Sequence, residues 1–226
     1  MFKSKQYNHI PVIMQDMETI TINGERHYIT PSGVAYPSMT TALKHLSAVD
    51  IAKWRARVGE AEATKVSNKA SSRGNNIHEM CEHYINNNSI VLHEERFQFE
   101  AYTFDQLKYY LHKIDNIRGV ELPLYSDTLK LAGRTDCIAE YDGVLSVIDF
   151  KTSLRPKKRD WIHNYFMQET GYSIMYEERV GERIDQLVTI IANDKSDPQV
   201  FIESRADWEK PLFAAVDAYY AARLNP

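Results

Sequence analysis

The dipeptide Asp142-Gly143 separates two segments, residues 131–141 and 144–151, that both have the alternating apolar pattern of β-strands. Asp-Gly between such segments is a strong indicator of a two-residue type I′ turn, whose two central residues both need a positive φ. This turn fixes the register of the hairpin, because the residues that flank it must pair with each other. Counting outward from that pair places Asp136 directly opposite Asp149.

Two carboxylates in this position need a positive charge between them. Directly opposed residues of an antiparallel pair have Cβ atoms about 4.5–5.5 Å apart, where like charges repel and weaken the sheet. Because side chains alternate along a strand, Lys151 shares a face with Asp149, while Ile148 and Phe150 point into a predicted core. We therefore predict a divalent cation beside an acid, acid and lysine set. The alternative is a solvated face on which Lys151 or Arg134 neutralises the acids, and a β-bulge would turn one acid away.

Composition narrows the class of protein. A chain of 226 residues can form one substantial domain, and its net charge of −4 argues against a histone-like polycation while allowing a local basic groove. No apolar run reaches the roughly 18 residues of a membrane span, and residues 1–11 lack a signal-peptide pattern. We expect a cytoplasmic protein with no membrane partner, in the host cytoplasm if the chain is viral.

The chain has two cysteines, Cys81 and Cys137. Two are too few for a four-thiolate site, and both are predicted to be buried.

Periodicity and turn residues predict a helical first half and a strand-rich second half. Ser38 is predicted to cap the first helix, and no linker rich in proline or glycine divides the chain. We expect one domain over residues 1–226, with a hairpin and helices in 1–117 and the sheet core in 118–226. The predicted elements are a hairpin over 18–30, helices over 39–46, 50–66, from Ser71 or Ser72 to 86, and 97–117, strands over 120–125, 131–141 and 144–151, a helix over 160–179, strands over 186–192 and 199–203, and a helix over 207–223.

The helix that contains His78 carries a histidine and a glutamate at helical spacing. His78 and Glu82 lie together on the rim of its apolar stripe, where an imidazole can reach a neighbouring site while a carboxylate holds its tautomer. The alternative is a simple surface ion pair. Just upstream, Arg73-Gly74 would let a helix start approach a phosphate, or would only end a loop.

The helix after the central hairpin has a polar residue within its apolar face. Trp161, Tyr165, Gln168, Tyr172 and Met175 recur at spacings of four and three residues and are predicted to share that face. A buried glutamine needs several hydrogen-bond partners. Gln168 either satisfies backbone groups of the sheet or, with Tyr172, faces the acids and orients a water or a phosphate.

The densest positive cluster of the chain connects this hairpin and helix. Five cations fall within residues 151–159, namely Lys151, Arg155, Lys157, Lys158 and Arg159. A polyanionic substrate would suit this loop, since contacts to phosphates supply much of nucleic-acid affinity. The alternative is an ordinary solvated loop.

These motifs resemble those of the PD-(D/E)XK nuclease superfamily. Gly133-x-x-Asp136 followed by Asp149-Phe150-Lys151-Thr152 is similar to its catalytic core. The segments Arg73-Gly74-x-x-x-His78-x-x-x-Glu82 and Gln168-x-x-x-Tyr172 are similar to motifs of its RecB-like branch. Within that branch, Tyr36-Pro37-Ser38 and the strands around the turn look like the mitochondrial genome maintenance exonuclease group and related phage and bacterial exonucleases. The likeness spans residues 36 to 172 and predicts a restriction-endonuclease-like α/β core, with a central mixed sheet flanked by helices.

The resemblance also implies roles for single residues. Asp136, Asp149 and the Phe150 carbonyl would bind Mg²⁺ or Mn²⁺, and His78 would complete the coordination or hold its water. Lys151 would position or help deprotonate the attacking water. The remaining residues with implied roles are Gln168 and Tyr172 at the nucleophile site, Arg73, Arg155, Lys157, Lys158, Arg159, Tyr36 and Ser38 as DNA contacts, and Glu82, Glu121 and Thr152 as supporting residues.

We therefore expect a metal-dependent DNA exonuclease that hydrolyses phosphodiester bonds at single-stranded ends or flaps, in replication, recombination or repair. We expect a monomer without an iron–sulfur cluster, because relatives that carry the cluster use four cysteines and this chain has two. The alternatives are a structure-specific or restriction-type endonuclease, and a DNA-binding module of the same fold that has lost activity.

Overall fold

The computed structural model of the protein describes residues 5–89 and 100–224. None of the helices in this part of the chain combines the length and the apolar character needed to cross a bilayer. A 3₁₀ turn, Arg159–Trp161, precedes the fourth helix. The elements in chain order are β1 (Thr19–Ile22), β2 (Glu25–Ile29), β3 (Ala35–Pro37), α1 (Met39–Val58), α2 (Glu60–Ile85), α3 (Ala101–Leu111), β4 (Ile114–Ser126), β5 (Leu131–Tyr141), β6 (Val144–Ser153), α4 (His163–Val180), β7 (Gln186–Asn193), β8 (Gln199–Ser204) and α5 (Arg205–Leu224).

A mixed sheet with the strand order β4-β5-β6-β7-β8 forms the centre of the fold. β6 and β7 pair in parallel and the other neighbours are antiparallel. A parallel neighbour needs a crossover, which α4 supplies. Buried residues of α1, α4 and α5 cover one face of the sheet, and those of α2 and α3 cover the other. The predicted α/β architecture, a central mixed sheet flanked by helices, is confirmed.

The central hairpin has the predicted turn and register. Asp142 and Gly143 have φ values of 49° and 82°, as a type I′ turn requires. Pairing between β5 and β6 begins next to the turn and continues to the pair Cys137–Ile148. Beyond that pair the strands diverge, because β5 continues beside β4 and β6 continues beside β7. The two predicted acids therefore lie at the point of divergence.

The first half of the chain is more continuous than predicted. α1 contains the helix predicted over 39–46 and the first part of the helix predicted over 50–66. Gly59, at a φ of 87°, separates α1 from α2, which contains the rest. The prediction that Ser71 or Ser72 starts a helix is wrong, since both lie inside α2. Serine weakens a helix only mildly, and the alanines, glutamates and lysines around it favour the helix. Arg73 and Gly74 therefore lie within a helix and not at a helix start.

The helix predicted over 97–117 ends earlier than expected. Residues 97–99 of that prediction lie outside the described part of the chain, and α3 ends at Leu111. Ile114 and Ile117 are fully buried in β4, where the backbone of Ile117 also bonds to the segment around Ile10. The register shifts between Asp115 and Gly119, which marks a bulge. Long-range strand pairing thus overrides the local helical pattern, and the division predicted at residue 117 falls inside β4.

Two further local predictions have different outcomes. Ser38 caps α1 as predicted, since its hydroxyl accepts a hydrogen bond from the Thr41 amide at 3.0 Å. The prediction that Trp161 shares the buried face of the next helix is wrong. Trp161 lies in the 3₁₀ turn before α4, where its side chain is 65% exposed.

Candidate active site

Asp136 lies just beyond the last backbone pair of β5 and β6, where its side chain bonds to the backbone of β6. Its Oδ2 atom accepts a hydrogen bond from the Phe150 amide at 2.7 Å. Because the strands separate here, side chains of α2 on one face of the sheet and of α4 on the other face can both approach the acids. His78 of α2 approaches Asp136, with 3.4 Å between His78 Nδ1 and Asp136 Oδ2. Gln168 of α4 donates to Asp149 Oδ1 at 3.2 Å.

Asp136 is grouped with a glutamate that the sequence had placed in a supporting role. One ligand atom from each of His78, Glu121 and Asp136 lies within 4.8 Å of the others. Glu121 falls between the pairs Val120–Cys137 and Leu122–Thr135 of β4 and β5, and therefore opposite Asp136. Its φ of 49° is unusual for a residue with a side chain and belongs to a locally distorted strand. Glu121 and Asp136 are thus two acids that oppose each other across the antiparallel pair β4–β5.

This donor set fits a hard divalent cation. The two carboxylates suit a hard cation such as Mg²⁺ or Mn²⁺, and the imidazole is a ligand that zinc accepts as well. Burial first, and then the charges of Asp136 and Glu82, raise the pKa of Glu121. Such crowding of negative charge is unfavourable without a cation. That Asp136 and Asp149 share one ion stays a prediction, and the structure adds Glu121 and His78 as further possible ligands next to Asp136. Both aspartates lie near enough to Lys151 to raise its pKa.

Asp149 and Lys151 form a buried ion pair beside this group. Asp149 is 1% exposed, and 2.5 Å separates its Oδ2 atom from Lys151 Nζ. Burial raises the pKa of Asp149 to about 6, against the opposing effect of the lysine charge. Burial also disfavours the charged form of Lys151, but the carboxylates of Asp149 and Asp136 outweigh it and raise the pKa of the lysine. Lys151 is therefore a protonated amine, and its predicted position on the face of Asp149 is confirmed.

Gln168 and Tyr172 face the acids. Gln168 donates a hydrogen bond to Asp149, so its side chain faces the acids. Tyr172 is 3% exposed, and burial together with the charges of Asp136 and Asp149 raises the pKa of its phenol. A Cβ atom on Gly133 would lie 2.8 Å from the Tyr172 hydroxyl oxygen. The glycine of the Gly133-x-x-Asp136 motif thus makes room for this tyrosine.

Glu169 is a further buried acid close to Asp149, and no motif of the sequence indicates it. This glutamate is fully buried, and the Thr189 hydroxyl of β7 donates to its Oε1 atom. Burial and then the charge of Asp149 raise its pKa well above the ordinary value. Nothing in the sequence distinguishes it from a surface glutamate, because its burial depends on packing between α4 and β7.

His78 has a different partner from the one predicted. Among the described residues it makes no ion pair with Glu82, because Asp136 reaches it from β5. Glu82 still lines the cleft in front of the site, which has a volume of about 440 Å³. Thr152 lines this cleft as well, and Gly74 of α2 packs close to its hydroxyl. The cleft is lined by Ser71, Gly74, Asn75, His78, Glu79, Glu82, Glu121, Lys151 and Thr152.

Three of the predicted DNA contacts, Ser38, Arg159 and Tyr36, are engaged within the protein. Ser38 is 1% exposed and its hydroxyl caps α1, so we withdraw it from the DNA contacts. Arg159 donates to both carboxylate oxygens of Glu203, at 2.6 and 2.5 Å. The Tyr36 hydroxyl donates to Asp127 at 2.9 Å.

The other predicted cations differ in how far they are paired within the protein. Arg73 Nη1 lies 2.5 Å from Asp194 Oδ2 and is therefore paired, like Arg159. Lys158 lies over the Trp161 ring, 5.2 Å from its centroid. Arg155 and Lys157 form no ion pair with any residue that the structure describes, and Arg155 is exposed.

The buried acid makes stability depend on pH in a defined direction. The folded pKa of Asp149, about 6, exceeds its ordinary value of 3.8, so its contribution favours folding below pH 4 and is lost as the pH rises through about 6. We expect Asp149→Asn, in metal-free buffer, to gain about 2 kcal/mol of unfolding free energy relative to the parent between pH 4 and pH 7. Urea unfolding at both pH values measures this difference. A difference that does not change with pH would contradict the assigned shift.

No protein-family model matches the chain. Over 129 residues, or 54% of its length, the chain is 26% identical to mitochondrial genome maintenance exonuclease 1 of Homo sapiens, and it has the same identity and coverage with the Mus musculus protein. The match covers 38% of each of these relatives. A crystal structure of a protein from Eubacterium rectale that is assigned as an exonuclease aligns with a TM-score of 0.42 and 11% identity, over 58% of this chain and 53% of that one. The sequence similarity confirms the resemblance to exonucleases that the motifs predicted.

Proposed function

We propose that the protein is a metal-dependent DNA exonuclease that hydrolyses phosphodiester bonds at single-stranded ends or flaps. The observation that carries this proposal is the meeting of His78, Glu121 and Asp136 with the Asp149–Lys151 pair where β5 and β6 diverge. Similarity to exonucleases over 54% of the chain supports the same activity.

The three clustered donors hold the cation in this proposal. His78, Glu121 and Asp136 supply one nitrogen and two carboxylate groups, which favours Mg²⁺ or Mn²⁺. When bound, such an ion supplies charge compensation at the scissile phosphate and lowers the pKa of a water molecule. The unusual backbone of Glu121 keeps its carboxylate opposite Asp136, and the Phe150 amide fixes the orientation of Asp136.

The buried ion pair supplies the second part of the site. Lys151 is held protonated by Asp149, so its ammonium group can hold the attacking water and offset charge that develops on the phosphate. Gln168 fixes the Asp149 carboxylate. Tyr172 stays a neutral phenol that can donate a hydrogen bond towards the acids. Each of these groups is oriented before substrate arrives, which is what electrostatic stabilisation of a transition state requires.

Two other functions remain as alternatives. An endonuclease would use the same groups on internal phosphates, and a binding module would use the cleft without cleaving. The His78–Asp136 and Asp149–Lys151 contacts weigh against the binding module, because a buried Asp149 paired with Lys151 beside further acids is costly to keep without a use.

Cleavage of matched linear and circular single strands tests the proposal. With Mg²⁺ or Mn²⁺, we expect nucleotides to be released from a linear single strand and nothing from a circle of the same sequence. Addition of EDTA is expected to stop the release. Digestion of the circle would identify an endonuclease, and the absence of product with any divalent ion would identify a binding module.

The basic loop makes a separate prediction about binding. We expect Arg155, Lys157 and Lys158 changed together to alanine to weaken single-strand binding and to reduce the slope of log K against log salt by about 2, since each phosphate contact contributes about 0.7. Arg159→Ala is the matched control, because its guanidinium is already neutralised by Glu203. Fluorescence anisotropy between low and high salt measures the slope. An unchanged slope in the triple variant would remove the loop from the DNA-binding surface.

A further inference from the structure

A second cleft adjoins the site through α2 and Thr152. It has a volume of about 520 Å³, and Thr152 lines both clefts. On α2, Lys69 and Arg73 line the second cleft, and Gly74 and His78 line the first. The volume is ample for one nucleotide, and neither the proposed cation site nor the Asp149–Lys151 pair uses Lys69 or Arg73.

Glu100 gives the second cleft an unused hydrogen-bond acceptor. It is 9% exposed, yet its buried Oε2 atom has no hydrogen-bond partner among the described residues. Its side chain does not cap α3, although the residue occupies the capping position. Buried polar atoms are nearly always hydrogen-bonded in native proteins, so an unpaired carboxylate oxygen in a cleft indicates a missing donor.

The remaining walls of this cleft carry positive charge and an aromatic ring. Lys69 and Arg73 lie four residues apart and share a face of α2. Asp194 holds Arg73 by one guanidinium nitrogen, while the buried Nε atom of Arg73 has no hydrogen-bond partner within the described residues. Tyr102, in the first turn of α3, is 74% exposed. Cations, an aromatic ring and a buried acceptor around one space match the parts of a nucleotide.

We propose that the second cleft binds one nucleotide of the single strand next to the scissile phosphate. Tyr102 stacks on the base, Lys69 and Arg73 contact a phosphate, and Glu100 accepts a hydrogen bond from an amino group of the base. Adenine, cytosine and guanine carry such a group, whereas thymine does not. This inference rests on the proposed function, because it assumes that the strand passes through the first cleft.

Strands that lack one base test the stacking contact. Anisotropy is measured with short single strands in Ca²⁺, with the abasic position moved along the strand one nucleotide at a time. We expect the parent protein to bind about tenfold more weakly when one particular base is missing. Tyr102→Ala should bind the intact strand about as weakly as the parent binds the strand that lacks this base. Removing the base should not weaken the binding of Tyr102→Ala any further. Tyr109→Ala is the control, since Tyr109 is 61% exposed on the same helix and does not line the cleft, and it should behave as the parent.

Glu100→Gln tests the hydrogen bond. The parent should bind a strand with thymine at the sensitive position more weakly than one with adenine or cytosine, and this preference should shrink in the variant. The inference is overturned if removing the base weakens binding equally in the parent and in Tyr102→Ala. It is also overturned if no position of the strand is sensitive to base removal. If linear strands are cleaved but binding does not depend on any single base, the nucleotide site in the second cleft is wrong and the proposed function stands. Base-dependent binding without cleavage in Mg²⁺ would overturn the proposed function alone.

Discussion

Replacing Asp136 by asparagine is expected to lower Mg²⁺-dependent cleavage at least about a hundredfold and to weaken binding of the ion. Asp136 contacts His78 and lies opposite Glu121, so the substitution removes negative charge from the centre of the donor group. Asparagine keeps an oxygen that can accept the hydrogen bond from the Phe150 amide, which preserves the local fold. Calorimetric titration with Mg²⁺ or Mn²⁺ and a cleavage assay on a linear single strand measure the two effects.

Asp217→Asn is the matched control, because Asp217 is an exposed acid of α5 with no part in the site. We expect it to leave both metal affinity and cleavage unchanged. Glu121→Gln should weaken metal binding in the same direction as Asp136→Asn, since both residues belong to the same group of donors. Unchanged metal affinity in Asp136→Asn would show that the ion is held elsewhere.

Replacing Lys151 by methionine is expected to reduce cleavage at least about a hundredfold without weakening metal binding. Lys151 is not one of the three donors, and its charge faces Asp149. This pattern separates its role from that of Asp136. Methionine keeps most of the aliphatic stem, so the effect reports the loss of the ammonium group. Cleavage at the parental rate would exclude Lys151 from the reaction.

The same variant should also be less stable, and the loss should depend on pH. Without Lys151 the buried Asp149 carboxylate has lost its counter-charge, and breaking a buried pair in this way costs about 3–5 kcal/mol. Because Lys151 lowers the pKa of Asp149, its removal lets that pKa rise above about 6. The loss should therefore be largest near pH 8 and smaller near pH 5, where Asp149 takes up a proton.

Thermal or urea unfolding at the two pH values measures this dependence. Lys113→Met is the control, since Lys113 pairs with the half-exposed Asp142 at the turn. A surface pair of this kind contributes little to stability, and its loss should leave cleavage unchanged. Equal destabilisation of Lys151→Met at both pH values would contradict a buried charged pair.

The sequence by itself determined the features that depend on local geometry. The Asp142-Gly143 turn sets the hairpin register because a type I′ turn allows only one pairing next to it. Alternation then places Lys151 beside Asp149 and sends Ile148 and Phe150 into the core. The spacing of Gln168 and Tyr172 on one helical face is equally local, and both face the acids.

Only the tertiary structure decided which acids stand together. Glu121 meets Asp136 through β4, and that register depends on a bulge between Asp115 and Gly119 that no local pattern of the sequence specifies. His78 contacts Asp136 in place of Glu82 because α2 packs on β6, next to the place where Asp136 ends the β5–β6 pairing. Glu169 is buried because α4 packs on β7. Turn chemistry and side-chain alternation act over a few residues and are encoded there, whereas these contacts depend on the packing of segments far apart in the chain.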